Sequence, residues 1–145
     1  MYDTYRNIAN IFFPKAKVCA DSFHVLKHLT DDFRKIRLRL ARNTEDQTLK
    51  YLLIKFRSIF DHNRNIDNEP RYNKRLNRYV NLRDIRDIVF NAFKELRAAY
   101  ELKEYYIRLN AETKLEEAPR VIDEAIEYFE SCGIEEYEEF YKMLT

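Results

Sequence analysis

A single glycine, Gly133, and three prolines serve all 145 residues. Phosphate-cradling P-loops and dinucleotide-binding fingerprints each need several glycines, so nucleotide-binding enzymes of those types are excluded. Cysteine is nearly as scarce. Cys19 and Cys132 lie far apart and form no Cys-x-x-Cys pair, so two buried thiols in a reducing compartment are the expected state. No run of apolar residues is long enough to suggest a membrane span. The opening stretch, MYDTYRNIANIFFPKAK, lacks the basic end, apolar centre and small-residue cleavage site of a signal peptide, and a soluble, cytoplasmic protein without membrane contact is the expectation. No serine sits in a glycine-flanked elbow, which argues against hydrolytic catalysis recruiting His24, His28 or His62.

What is present points to helices. With 46% apolar and 35% charged residues and almost no turn formers, the composition favours one packed helical domain over disorder or a turn-rich β fold. The net charge of +1 conceals a division along the chain: residues 1–110 carry 23 Lys and Arg against 14 Asp and Glu, whereas residues 111–145 carry 3 against 11. A basic body followed by an acidic end can bind polyanions through the first part and dock or shield that surface with the second.

Apolar spacing sets the expected elements. Asp3 or Thr4 can cap a short helix over residues 4–13, which Pro14 would end. The run AKVCA, residues 16–20, reads as a short buried strand. Ser22 can cap a long helix with Leu26, Leu29, Phe33, Ile36 and Leu40 on one stripe. Thr44 and Gln47 are spaced as a capping box for a second helix carrying Leu49, Leu52, Leu53, Phe56, Ile59 and Phe60. DHNRNIDNEPRYN, residues 61–73, reads as the longest loop, followed by a short helix with Leu76, Tyr79 and Val80. From Leu82 to about Asn110 the stripe Ile85, Val89, Ala92, Leu96 and Ala99 predicts one uninterrupted helix, whose open face could also form a dimer seam. Two more helices follow, over Ala118–Phe129 and Ile134–Leu144, separated by Gly133 as a left-handed stop.

Two groups of residues carry candidate chemistry. His24 and His28 share a helix face and Asp21 lies just before them, a set that a small metal-dependent enzyme could use. No glutamate stands between the histidines as in a zinc-protease motif. The second group is basic: Lys35, Arg39 and Arg42 lie on one helix face, and Lys74, Arg75, Arg78, Arg83 and Arg86 form a cluster with interleaved aromatics. Such clusters suit phosphate contacts, which position a nucleic acid without reading its sequence.

Taken whole, YDTYRNIANIFFPKAKVCADSFHVLKH resembles bacterial insertion-sequence transposases with an RNase-H-like Asp-Asp-Glu core, of the ISL-three branch. Met1, Tyr5, Phe13-Pro14, Ala16 and Asp21-Ser22-Phe23-His24-Val25 carry the match, and YNKRLNRYV and AYELKEYYIRL resemble the family's helical insertion. The resemblance implies a mostly α fold: a helical bundle with one short β-strand left from the RNase-H-like core, residues 1–24 being the remnant of that core and residues 25–145 the insertion. It places Asp21 and His24 in a signature near the active site, outside the metal-binding triad. The three acids of that triad would lie before Met1 and after Thr145. A fragment with no cofactor of its own is therefore expected, in a parent that uses Mg or Mn to cut and join transposon ends. DNA is the implied partner, with a homodimer possible. An independent helical interaction module is the main alternative, and the metal enzyme built on Asp21, His24 and His28 the other.

Overall fold

The computed structural model describes residues 14–61 and 66–144, with side chains from Phe23 onward, Leu115 excepted. The helix expected over residues 4–13 lies outside these. Among the described residues the helices are α1 (Pro14–Asn43), α2 (Gln47–Lys55), α3 (Ser58–Asp61), α4 (Leu82–Ala92), α5 (Lys94–Glu112), α6 (Ala118–Ser131) and α7 (Glu138–Met143). One antiparallel hairpin, β1 (Arg71–Asn73) and β2 (Arg78–Val80), interrupts the series, and short 3-10 turns precede α6 and α7. The mostly helical architecture with a minor β element is as expected. The β element sits elsewhere in the chain.

The expected strand AKVCA is part of α1, and the helix starts at Pro14 rather than at Ser22. Proline is pre-set for the first turn of a helix, where its missing N–H has no partner to lose. Ala16, Lys17 and Ala20 are strong helix formers around a single β-branched Val18, and no strand pairs with them among the described residues. The boundary drawn between residues 24 and 25 consequently falls inside a continuous helix.

The stripe of α1 behaves as its spacing dictates: Leu29, Phe33 and Ile36 are fully buried, against α5 on one side and α2 on the other. Asp46, not Thr44, caps α2, its Oδ1 accepting from the Thr48 and Leu49 amides at 2.9 and 3.0 Å. A reciprocal capping box occurs instead at the start of α4, between Asn81 and Asp84.

The expected uninterrupted helix from Leu82 to Asn110 is divided at Phe93, whose φ of −125° and ψ of 85° leave the helical region. The gain from this bend is visible in the rings. Phe90 and Tyr100 lie 5.1 Å apart by centroid, although a straight helix would separate them by about 15 Å. Phe90 also meets Phe60 of α3, so the bend lets α4 cover α2 and α3 while α5 covers α1. No proline or glycine marks the position. The break is a tertiary decision, and it divides the stripe that had suggested a dimer seam.

The expected short helix at residues 76–80 is the hairpin. Asn77 adopts a φ of 55°, a left-handed geometry that asparagine tolerates and a helix does not, and Asn73 accepts from the Leu76 amide at 3.0 Å. Downstream, Gly133 takes the left-handed conformation foreseen for it, with a φ of 68°. It lets α7 fold back so that Tyr106, Phe129, Tyr137 and Phe140 form one aromatic core, with Phe129 and Phe140 centroids 4.9 Å apart.

Two buried cations tie the bundle together. Arg37, 2% exposed, donates through Nε and Nη2 to the Asp61 carboxylate at 2.9 and 2.8 Å and through Nη1 to the Leu53 carbonyl at 2.9 Å. Leu53 lies in the last turn of α2, so the guanidinium serves both an unpaired helix-end carbonyl and the negative pole of that helix. Lys103, fully buried, has its ammonium 5.1 Å from the Phe33 ring centre and 4.8 Å from that of Tyr100, and it pairs with Glu104 at 2.8 Å.

Candidate nucleic-acid interface

Register decides what the hairpin shows. Tyr72 stands opposite Tyr79. Because side chains alternate across a strand, these two share one face while Asn73 and Val80, both buried, lie on the other. The Tyr rings meet edge to face at 5.3 Å, and they remain 53% and 71% exposed. From Pro70 to Arg83 the chain contains five cations and no acid. Arg71 is paired with Asp67 and Glu69 at 3.6 and 3.7 Å. Lys74, Arg75, Arg78 and Arg83 are exposed, and no ion pair holds them among the described residues.

Arg75 leans from the hairpin turn onto α2, with its guanidinium carbon 5.8 Å from the Tyr51 ring centre. It thereby closes one side of an open groove of about 410 Å³ lined by Gln47, Lys50, Tyr51, Ile54, Lys55 and Arg75. The floor is apolar, Tyr51 and Ile54, and the cations are Lys50, Lys55 and Arg75. Lys50 and Lys55 are not among the cations that sequence clustering singles out. Their signal was present: Tyr51 and Ile54 fall off the core stripe of Leu49, Leu52 and Leu53, which marks a second, outward apolar face on α2.

The other sequence candidates are dispersed. Arg83 lies in the first turn of α4, and Arg86 lines a separate groove of about 480 Å³ with Asp87, Phe90, Asn91, Arg97, Tyr100 and Glu101, a lining of mixed charge. On α1, Lys35 is exposed and approaches Asp32 at 3.6 Å, and Arg42 is exposed at the helix end. Arg39, on the same face, is held by Glu95 of α5 and by Glu136. Hydrogen bonding to Glu136 keeps the Arg39 guanidinium more firmly protonated than usual. Burial would raise the Glu136 carboxyl, but the Arg39 hydrogen bond and charge, together with a backbone amide, bring it below its ordinary value. Here the acidic end of the chain docks on the basic body.

Of the residues considered for a metal, Asp21 has its side chain outside the described ones, and His24 is exposed. The His28 Nδ1 lies 2.9 Å from Asp32 Oδ2 inside α1, close enough for a charge contact but without hydrogen-bond geometry. Burial pushes the Asp32 carboxyl up, against the pull of His28 and Lys35. Among the described residues no three His, Cys, Asp or Glu side chains gather as a metal site would require. Cys132 is a free thiol, half-buried, donating to the Phe129 carbonyl at 3.0 Å, and burial raises its ionisation above the ordinary range. No described helix is long and apolar enough to cross a membrane.

As a class, then, this is a mostly α-helical bundle that displays a cationic, aromatic hairpin beside a cation-lined groove. Comparison with known families makes it more definite: a transposase family, the ISL-three group with an Asp-Asp-Glu core, matches residues 1–145, and the chain belongs to that family. No curated protein and no solved structure matches it.

Proposed function

We propose that this chain is a DNA-holding and assembly part of a transposase, supporting metal-dependent cutting and joining of transposon ends without itself supplying the metal-binding acids. One observation carries the reading: Lys50, Lys55, Lys74, Arg75, Arg78 and Arg83 are cations without carboxylate partners among the described residues, on α2, the hairpin and the adjoining start of α4. Unpaired surface cations suit a polyanion, whereas the cations of α1 are largely balanced, Lys27 and Arg34 by Asp31 and Arg39 by two glutamates. Lys35, Arg42 and Arg86 extend the candidate phosphate-contacting set, and Arg39 serves as the tie between α1, α5 and the acidic end. Residues 1–24 belong to the edge of the RNase-H-like core, with Asp21 and His24 at the rim of its active site, and residues 25–145 form the insertion. Magnesium or manganese, held by acids elsewhere in the parent, would activate the attacking oxygen and stabilise the leaving one.

Fluorescence anisotropy of a labelled duplex, titrated from low to physiological salt, tests this. Binding is expected to weaken steeply with salt. Removing Lys50, Lys55 and Arg75 together should flatten the log-log salt slope by about 0.9 per lost phosphate contact. Absence of binding at low salt, or a slope unchanged by the triple substitution, would remove this surface from DNA contact.

A further inference from the structure

The Tyr72–Tyr79 pair is not needed to explain the cations around it, and phosphate contact alone gives no use for two large exposed rings. A cross-strand aromatic pair does stabilise a hairpin. That role accounts for the edge-to-face contact between them, with ring centroids 5.3 Å apart, and it leaves unexplained why the two residues remain 53% and 71% exposed. The opposite face already anchors the hairpin through buried Asn73 and Val80. The pair of rings is thus held outward, with Lys74 and Arg75 in the turn at its end, while Arg78, opposite Asn73, belongs to the other face. Rings that accept bases on their faces, flanked by cations at phosphate-contacting reach, are the two components of a surface for unpaired nucleic acid, since every base has a π face and every nucleotide a charge.

We propose that the hairpin face bearing Tyr72 and Tyr79 is a stacking platform for unpaired DNA bases, with Lys74 and Arg75 of the turn holding the phosphates of the same strand. The proposal rests on the DNA-holding reading above and adds a preference to it. Duplex contact belongs to Lys50 and Lys55 of the groove, Arg75 at the junction serves both surfaces, and recognition of opened or single-stranded DNA belongs to the two tyrosines. An apolar protein segment is the less suitable occupant, because Lys74, Arg75, Arg78 and Arg83, exposed and without ion pairs among the described residues, favour an anionic partner.

The test compares three fluorescently labelled DNAs of one length: a duplex, the same duplex with a short unpaired bubble, and a single strand. The wild-type chain is expected to bind the bubble and the single strand more tightly than the duplex. Tyr72→Leu and Tyr79→Leu keep apolar bulk but remove the π face, and each should weaken binding to unpaired DNA by about tenfold while leaving duplex affinity unchanged. Tyr72→Phe and Tyr79→Phe, which keep the ring, should bind all three DNAs as the wild type does. A duplex bound as tightly as the bubble, or leucine variants that retain the preference, would overturn the stacking platform while leaving the DNA-holding role intact. Failure to bind any of the three DNAs would overturn both.

Discussion

Replacing Asp61 probes the buried ion pair that joins α1, α2 and α3. Arg37 makes three charge-assisted hydrogen bonds, two to Asp61 and one to the Leu53 carbonyl, and is 2% exposed. In Asp61→Ala the guanidinium keeps only the carbonyl and stays out of water, and removing one member of a buried pair costs about 3–5 kcal/mol. That is a large share of the roughly 5–15 kcal/mol that holds a domain folded. Replacing both members, as in Arg37→Met with Asp61→Leu, removes the charge and its partner together. The remaining loss is one hydrogen bond to the Leu53 carbonyl, about 1 kcal/mol, so the double variant should be far more stable than Asp61→Ala. Urea unfolding followed by helical circular dichroism reads both values, with an unchanged m-value indicating that the folded state is intact. The loss in Asp61→Ala should also respond little to salt, because a pair this buried is poorly screened. If Asp61→Ala lost less than about 1 kcal/mol, or the double variant were no better than the single one, the reasoning about the uncompensated cation would be wrong.

Glu136 gives a pH signature: its carboxyl, ordinarily near 4.5, is lowered in the folded chain by Arg39, so the stability it contributes is present above that ordinary value and is lost as pH falls through the folded one. Glu136→Gln should therefore be less stable than the wild type at neutral pH, and the difference in thermal midpoint should shrink below about pH 4.5; a difference constant from pH 7 to 3 would refute the linkage. Tyr137→Phe removes the hydroxyl that donates to the Ala99 carbonyl at 2.8 Å, a bond joining the chain's acidic end to α5 across 38 residues. The expected loss is about 1 kcal/mol, measured as a shift in urea midpoint at constant slope, and no shift would mean the bond contributes nothing net.

The sequence alone determined the helical character, the positions of most core residues and the basic-to-acidic division. Leu29, Phe33, Ile36, Val89, Leu96, Ala99 and Phe129 are buried because a spacing of three and four leaves a helix one way to bury its stripe. Gly133 was equally legible, since a left-handed residue between two helical stripes calls for glycine. The resemblance carried by Phe13-Pro14 and Asp21-Ser22-Phe23-His24 led to the family that matches the chain. Where local signals were short, tertiary structure decided. AKVCA is helix and pairs with no strand among the described residues, and Phe93 broke a continuous stripe so that Phe90 could reach Phe60 and Tyr100. The buried Arg37 was half visible, because position 37 lies within the stripe of Phe33 and Leu40, but its partner 24 residues away could come only from the fold. The same holds for the candidate surface. Sequence placed cations along the chain and could not tell Arg39, neutralised by Glu95 and Glu136, from Arg78, which has no carboxylate partner among the described residues. Charge along a chain is a local property, whereas which charges remain unbalanced depends on what folding brings beside them.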